Sequence, residues 1–235
     1  MGEAERIAPG IYLVAGPNIS HAEDATAFVV EFGDELVMID SGVGRSVAVI
    51  LDNIEDAGLD PGRISTLILT HCHIDHIGGA AEIRAKTGCR IVVHELDADA
   101  VETGDANKTA AGWYGRQLKA LPVDHRLRGE AETLAFGGEA LHCPHTPGHT
   151  PGSISIYLDR GGKRILFGQD IHGPFNPAFG SDIDMWARSM RKLLDLEADI
   201  LCEGHFGIFQ TKDRVREYIL RYLKEYGKLP VKSDR

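Results

Sequence analysis

The sequence has few cysteines, and their positions follow no metal-binding or disulfide pattern. The four residues, Cys72, Cys89, Cys143 and Cys202, are far apart and include no Cys-x-x-Cys pair. Thiolate zinc sites and disulfide frameworks both depend on closely spaced cysteines, so neither is expected here. Residues 1–17 are acidic at the start and carry no sustained apolar run of the signal-peptide type. Together these two features predict a reducing, cytoplasmic location.

The sequence also lacks an excess of basic residues and long apolar runs. Asp and Glu number 35 against 25 Lys and Arg, and the formal net charge is −10. Nucleic-acid binding depends on clustered Lys and Arg that pair with phosphates, so we expect no nucleic-acid partner. A membrane span needs about 18–20 consecutive apolar residues, and no run approaches that length. The remaining expectation is a protein that acts on a small molecule, alone or as a homo-oligomer.

Apolar residues make up 43% of the 235-residue chain, which suits one large domain over residues 1–235. Short apolar runs alternate with stretches of helical spacing, which is typical of layered α/β folds. The pattern predicts β character over 134–143 and strands over 11–14, 26–32, 36–39, 64–69, 90–93, 153–158, 164–167 and 200–202. It predicts helices from Val47 to a stop at Gly58, over 78–87, from a capping box at Ser181 and Asp184, and over 211–226. The less regular segment 97–122 is expected outside the core, over a site.

The segment that follows the predicted strand 64–69 is rich in metal-ligand side chains. It reads Thr-His-Cys-His-Ile-Asp-His and contains His71, His73, Asp75 and His76. Alternation along an extended chain places His71 and His73 on one side. Asp75 and His76 enter a turn before a Gly-Gly pair, so they can point in another direction. Two such pairs suit two adjacent metal ions.

Three later residues add the same ligand chemistry. His149 lies in the loop Thr-Pro-Gly-His-Thr-Pro-Gly, Asp170 follows the strand 164–167, and His205 follows the strand 200–202. Taken singly, each has an ordinary alternative, as a turn residue, a capping acid or a surface histidine. Their shared position, just past the end of a predicted strand, favours a common site, because ligands of α/β sheets bind at that edge.

The motifs HCHIDH, TPGHTPGS, GQD and EGH, in this order, resemble those of the metallo-β-lactamase fold superfamily, most closely its glyoxalase-II-like hydrolases. The resemblance covers nearly the whole chain, including the early VMIDSG segment that ends at Gly42. It implies an αββα sandwich, with two facing mixed β-sheets and outer helices, and a two-metal centre at one edge. By this resemblance the first metal would be bound by His71, His73 and His149, the second by Asp75, His76 and His205, and Asp170 would bridge them. Asp40 corresponds to an acid beside the ligand loop.

This donor set points to a hydrolase. Imidazole and carboxylate ligands without thiolates suit two divalent metal ions, with zinc preferred and iron or manganese as alternatives. Such ions lower the pKa of bound water toward about 7, so a metal-bound hydroxide is available at neutral pH. The hypothesis is a dinuclear-metal hydrolase that cleaves an acyl bond, a thioester or a lactone, by attack of this hydroxide. Asp75 and Asp170 are its catalytic carboxylates, and Asp75 can take or return a proton.

Several branches of the superfamily remain open. Only a short region follows His205, whereas glyoxalase II has a long helical region there, so glutathione recognition is not expected. Similar lactonases have a tyrosine three residues after the bridging aspartate, where this chain has Gly173. The nearest polar side chain is His172, which could contact the substrate carbonyl or lie in a solvent-exposed loop. Persulfide dioxygenases share the His-x-His-x-Asp-His segment but use a single iron, and they are the alternative function. The candidate pocket residues are Trp113, Tyr114, Phe175 and Phe179.

Overall fold

Two β-sheets pack face to face in the computed structural model, which describes residues 2–229. The first sheet has seven strands in chain order. They are β1 (Glu5–Ala8), β2 (Ile11–Ala15), β3 (Ala27–Phe32), β4 (Glu35–Ile39), β5 (Ile64–Ile68), β6 (Arg90–His94) and β7 (His125–Leu127). The pairs from β1 to β4 are antiparallel, and those from β4 to β7 are parallel. The carboxyl ends of β4, β5 and β6 therefore meet at one edge of this sheet.

The second sheet has six strands in the order β13-β12-β11-β10-β9-β8. They are β8 (Ala131–Phe136), β9 (Glu139–Pro144), β10 (Ile156–Arg160), β11 (Lys163–Gln169), β12 (Ile200–Glu203) and β13 (Gly207–Gln210). β11 and β12 pair in parallel, and the neighbouring pairs are antiparallel. The parallel pair brings the carboxyl ends of two central strands to the same edge.

Helices cover the outer faces of both sheets. They are α1 (Val47–Asp56), α2 (Ile74–Ile77), α3 (Ala80–Thr87), α4 (Glu95–Thr103), α5 (Ile183–Asp195) and α6 (Lys212–Glu225). One apolar layer joins α1, α3 and α4 to the first sheet, a second lies between the sheets, and a third joins α5 and α6 to the second sheet. The predicted αββα sandwich with two facing mixed sheets is confirmed. No helix within residues 2–229 combines the length and apolar character that crossing a membrane requires.

The β character predicted over 134–143 is confirmed as most of the hairpin of β8 and β9, in which Gly137 and Gly138 both adopt positive φ and turn the chain. One sequence prediction about local structure is wrong. The cap of α5 is Asp182 and not Ser181. The Asp182 carboxylate accepts hydrogen bonds from the backbone N–H groups of Asp184 and Met185, each at 2.8 Å.

The segment 97–122 is only partly outside the core. Its first part belongs to α4, whose Ala98 and Val101 are buried in the layer against the first sheet. The later part contains a 3₁₀ turn over Ala111–Tyr114, and this part lies over the site described below. The edge strands β1, β7 and β13, which are short and partly exposed, were not predicted from the sequence.

Replacing Phe167 by alanine tests the packing between the sheets. Phe167 is buried, and its ring centre lies 5.1 Å from that of Phe28 on the facing sheet. Phe167→Ala should lower the free energy of unfolding by about 3–5 kcal/mol, because it leaves a cavity between two sheets that cannot close. Urea denaturation measures the change. The control is Leu96→Ala, since Leu96 is 56% exposed and its loss should change stability by less than about 0.5 kcal/mol. Equal effects of the two variants would contradict this packing.

Candidate metal centre

Loops at one edge of the sandwich carry the polar side chains singled out in the sequence. The loop after β5 leads into α2 and carries the first four, the loop between β9 and β10 carries His149, and the ends of β11 and β12 lead to Asp170 and His205. The structure brings all seven together. They are His71, His73, Asp75, His76, His149, Asp170 and His205.

The first group of these side chains consists of His71, His73, His149 and Asp170, whose donor atoms all lie within 4.8 Å of one another. His73 Nδ1 is 2.9 Å from His149 Nε2. Asp170 Oδ2 is 3.3 Å from His149 Nε2 and 4.0 Å from His71 Nε2. Three imidazoles and one carboxylate oxygen thus surround a single point.

The second group consists of Asp75, His76 and His205, whose donor atoms also lie within 4.8 Å of one another. His205 Nε2 is 3.3 Å from Asp75 Oδ2. Asp170 Oδ1 is 3.0 Å from His76 Nε2 and 3.3 Å from His205 Nε2. The two oxygens of Asp170 therefore face different groups, and this carboxylate lies between them.

Several atoms at the centre have no hydrogen-bond partner among the residues that the structure describes. His71 Nε2, His76 Nε2 and Asp170 Oδ1 are buried, and the 3.0 Å contact between the last two atoms lacks the geometry of a hydrogen bond. Leaving a buried polar atom unpaired costs about 1–3 kcal/mol, so a stable fold is expected to satisfy it. A divalent cation would satisfy all three, because neutral imidazole nitrogens and carboxylate oxygens are its protein ligands. These residues fit a divalent metal centre.

The electrostatics of the first group favour neutral imidazoles. Burial, together with the neighbouring histidines, lowers the pKa of His71 well below its usual value. Burial and the nearby His149 do the same to the pKa of His73. Since a metal binds the unprotonated nitrogen, these two histidines are already in the form that a cation requires.

The surroundings of the second group favour positive charge. Burial alone would lower the pKa of His76, but the carboxylates of Asp170 and Asp40 raise it well above its usual value. Burial alone would also lower the pKa of His205, but the carboxylates of Asp170 and Asp75 raise it to about 10. The carboxylates here therefore stabilise a cation, and a divalent metal ion would supply that charge in place of protons.

Asp40 holds the ligand loop as the sequence suggested. Its carboxylate accepts hydrogen bonds from the backbone N–H of Thr70 at 2.9 Å and from the Thr70 hydroxyl at 2.7 Å. His76 Nδ1 lies 2.7 Å from the same carboxylate. With its proton on Nδ1, the ring presents the lone pair of Nε2 to the centre, which is the usual arrangement of a carboxylate behind a metal-binding histidine.

Asp97 is a supporting residue that sequence reasoning missed. It is buried on α4 and accepts hydrogen bonds from Cys72 N at 3.0 Å, the Thr150 hydroxyl at 2.6 Å and Gly152 N at 2.7 Å. It therefore ties the loop of His71 and His73 to the loop of His149. The available signal was its position just after β6, at the sheet edge where the ligands gather, but the segment 97–122 was expected outside the core.

The His149 loop packs directly on α5. Gly148 adopts φ +136°, and a Cβ at this position would overlap the backbone of Trp186. Only glycine allows this close approach. The Ser181 hydroxyl donates a hydrogen bond to the carbonyl oxygen of His149 at 2.6 Å, which fixes the loop from the other side.

A pocket opens beside the two groups. Its polar floor contains His73, Asp75, Asp170, His172 and His205, and its walls contain Ala110, Trp113, Tyr114, Pro174 and Phe179. Trp113 is 62% exposed at the rim, and its ring lies 4.8 Å from that of Phe179. The ring of Phe179 in turn lies 4.5 Å from that of His73. An aromatic wall thus leads from solvent to the centre.

Two sequence expectations about this pocket need correction. Phe175, a candidate wall residue, packs instead on Trp186 and Tyr226, with ring centres 5.2 Å and 4.9 Å away. His172, for which a surface loop position was the alternative, lines the pocket floor with a side chain that is only 16% exposed. The other three aromatic candidates, Trp113, Tyr114 and Phe179, do line the pocket.

The chain matches a known protein family over most of its length. The family model described as "Metallo-beta-lactamase superfamily" matches residues 22–205. The probable metallo-hydrolase YflN of Bacillus subtilis (strain 168) is 30% identical over 212 residues, covering 77% of this chain and 78% of that protein. The hydroxyacylglutathione hydrolase of Fuscovulum blasticum is 33% identical over 147 residues, or 61% of this chain. The human acyl-coenzyme A thioesterase MBLAC2 is 28% identical over 183 residues, or 69% of this chain.

The matches to the last two relatives are partial. The chain spans 49% of the hydroxyacylglutathione hydrolase and 63% of MBLAC2, less than two thirds of either protein. A solved metallo-beta-lactamase from Cronobacter sakazakii, a HARLDQ motif mutant, has a TM-score of 0.84 at 21% identity, covering 97% of this chain and 96% of that structure. At this identity the likeness shows a shared fold.

Substitution of Asp97 tests how the ligand loops are held. Asp97→Asn replaces one of the two carboxylate oxygens of Asp97 by an amide nitrogen, which cannot accept a hydrogen bond from the loops. The metal affinity should therefore fall by about 10–100-fold, as is typical for residues behind metal ligands. Competition with a chromogenic chelator measures the affinity. The matched control is Asp99→Asn on the same helix, since the Asp99 side chain is 77% exposed and its polar contact within residues 2–229 is with Arg126, at 3.3 Å. An unchanged affinity in folded Asp97→Asn protein would show that the loops do not depend on this carboxylate.

Proposed function

Because the chain belongs to the metallo-beta-lactamase superfamily, we propose that it is a dinuclear metal-dependent hydrolase that cleaves an acyl bond, a thioester or a lactone. The observation that carries this proposal is the position of Asp170, whose two carboxylate oxygens face two separate groups of ligand side chains on the floor of one pocket. Such an arrangement suits a pair of neighbouring cations.

The residues have defined places in this proposal. His71, His73 and His149 would hold one ion, Asp75, His76 and His205 would hold the other, and Asp170 would lie between them. We propose zinc, since the donors are imidazole and carboxylate without thiolate, although iron and manganese accept the same donors. When bound, divalent ions of this kind lower the pKa of water and polarise an acyl carbonyl.

Asp75 contributes a carboxylate to the reaction. Burial alone would raise its pKa, but the hydrogen bond to His205 and the charge of His76 lower the pKa to about 2. Asp75 is therefore an ionised group on the pocket floor. From the pocket floor its carboxylate is placed to accept a proton from the attacking water and to return it to the leaving thiol or alcohol.

The pocket walls support an acyl substrate with an apolar part. Trp113 and Phe179 form the wall between solvent and the ligand His73. No lysine or arginine occurs among the residues that line the pocket within the described part of the chain. A substrate bound there gains affinity from apolar contact and not from a salt bridge. The named activities of the relatives, an acyl-coenzyme A thioesterase and a hydroxyacylglutathione hydrolase, favour a thioester for this chain as well.

A double variant tests the metal-dependent activity. His71→Ala with His73→Ala removes two imidazoles of the first group, so both the bound metal and the hydrolysis of a panel of thioesters and lactones should be lost. Elemental analysis should give two metal ions per chain for the unmodified protein, with no oxygen uptake. The matched control is His125→Ala with His142→Ala, because both residues lie on strands outside the pocket lining. Full activity of the double variant would refute the proposal. One iron per chain with oxygen consumption would instead indicate a persulfide dioxygenase.

Shortening the pocket wall tests the substrate site. Trp113→Ala should raise KM for a long-chain acyl thioester by about 10-fold or more, as burial of an apolar side chain predicts, and leave kcat nearly unchanged. KM for the acetyl thioester should change little, because a short acyl group does not reach the rim. Trp113→Phe should recover most of the loss. Equal effects on the acetyl and long-chain thioesters would show that Trp113 does not contact the acyl chain.

A further inference from the structure

Glu203 is a buried carboxylate that the centre described above does not use. It is 0% exposed and ends β12, two residues before the ligand His205. Its Oε2 accepts hydrogen bonds from the backbone N–H groups of His205 at 2.7 Å and Phe206 at 2.8 Å. Its Oε1 lies 3.0 Å from His172 Nδ1. The orientation of this carboxylate is therefore fixed by the backbone of the ligand loop, and its second oxygen points at one histidine.

His172 is held in place on its other sides. The Tyr226 hydroxyl donates a hydrogen bond to the His172 carbonyl oxygen at 2.8 Å. The imidazole packs edge-on against His205 and Phe206, with ring centres 5.1 Å and 4.8 Å away. The side chain lines the pocket floor, and a ring nitrogen of His172 lies within 4.8 Å of donor atoms of Asp170 and His205. Both the backbone and the ring are thus positioned beside the reacting centre.

The contact with Glu203 decides which nitrogen of the neutral ring carries the proton. An ionised carboxylate only accepts hydrogen bonds, so Nδ1 is the donor and keeps its hydrogen. Nε2 then has a lone pair, and it has no hydrogen-bond partner among residues 2–229. The same arrangement occurs at His76, where Asp40 lies behind Nδ1 and Nε2 faces the metal centre. In His172 the free Nε2 can accept a hydrogen bond from a molecule bound in the pocket.

We propose that Glu203 and His172 form a substrate-recognition pair, in which His172 Nε2 accepts a hydrogen bond from a hydroxyl or amide N–H of the acyl group beside the scissile bond. This inference rests on the proposed acyl hydrolysis. An unsubstituted acyl group that fills the pocket leaves His172 Nε2 without a donor, so the pair favours acyl groups that carry one. His172 is then a further catalytic residue, and Glu203 is the positioning residue behind it.

Glu203→Gln gives the proposal a signature that a purely structural role would not produce. The side-chain oxygen of Gln must accept from the N–H groups of His205 and Phe206, since an amide nitrogen cannot accept. The amide nitrogen then faces His172 and donates to Nδ1. The neutral ring must carry its proton on Nε2, which turns the pocket-facing acceptor into a donor.

Nitrogen-15 NMR of histidine-labelled, zinc-loaded protein reads the tautomer without any turnover. The His172 signal is assigned by its loss in His172→Phe. It should show the proton on Nδ1 in the unmodified protein and on Nε2 in Glu203→Gln. The matched control is Glu132→Gln, which makes the same chemical change in the partly exposed pair of His125 and Glu132 and should leave the His172 signal unchanged. A proton on Nε2 of His172 in the unmodified protein would overturn the proposal.

Steady-state kinetics then test recognition with thioesters of N-acetylcysteamine that share one carbon skeleton. These are the butyryl, 2-hydroxybutyryl and 3-hydroxybutyryl esters. The unmodified protein should prefer at least one hydroxylated ester in kcat/KM by about tenfold, the effect of one hydrogen bond. His172→Phe should lose this preference, because it removes the imidazole, whereas Glu132→Gln should keep it. A preference that is absent from the unmodified protein, or that survives in His172→Phe, would contradict the proposed pair.

Recognition by His172 can also be measured without hydrolysis. If none of the three thioesters is hydrolysed, calorimetric binding of the same three thioesters to the zinc-loaded protein tests recognition alone. Tighter binding of a hydroxylated thioester that His172→Phe abolishes supports the pair without the hydrolase. Equal binding of all three thioesters rejects the pair.

Discussion

The carboxylate of Asp170 is the group on which the site depends. It is buried, one oxygen faces His71 and His149, and the other faces His76 and His205. Burial alone would raise the pKa of Asp170, but the charges of His76 and His205 lower it well below its usual value. A buried anion is stable only beside compensating charge. The surrounding imidazoles are arranged so that two divalent cations can provide that charge.

A second set of buried carboxylates holds the ligands around this centre. Asp40 fixes the ring of His76, Asp97 joins the first ligand loop to the loop of His149, and Glu203 fixes the backbone at His205. Each of these acids is fully paired by backbone or side-chain donors. The ligand loops are therefore rigid before a cation binds, and rigid donors lose little entropy on binding. The sandwich makes this possible because β4, β6 and β12 end at the same edge.

The sequence predicted the ligands better than their supports, and the reason is physical. His71, His73, Asp75 and His76 are close in the chain, so their density is visible without a structure. His149, Asp170 and His205 were found because each follows a strand, and strand ends share an edge. Among the supports, Asp40 was found through the family resemblance, whereas Asp97 and Glu203 carry no such signal. Asp97 looks like any acid in the first turn of a helix, and the pairing of Glu203 with His172 depends on burial that is set by the packing of β12 against the loop after β11. Only the folded chain shows that His172 faces the pocket.

X-ray diffraction with anomalous data at the zinc edge, from crystals of the zinc-loaded protein, tests the central claim most directly. We expect two anomalous peaks on opposite sides of the Asp170 carboxylate. One should lie at bonding distance from His71, His73 and His149, and the other at bonding distance from Asp75, His76 and His205. A single peak, or peaks that do not contact Asp170, would contradict the account.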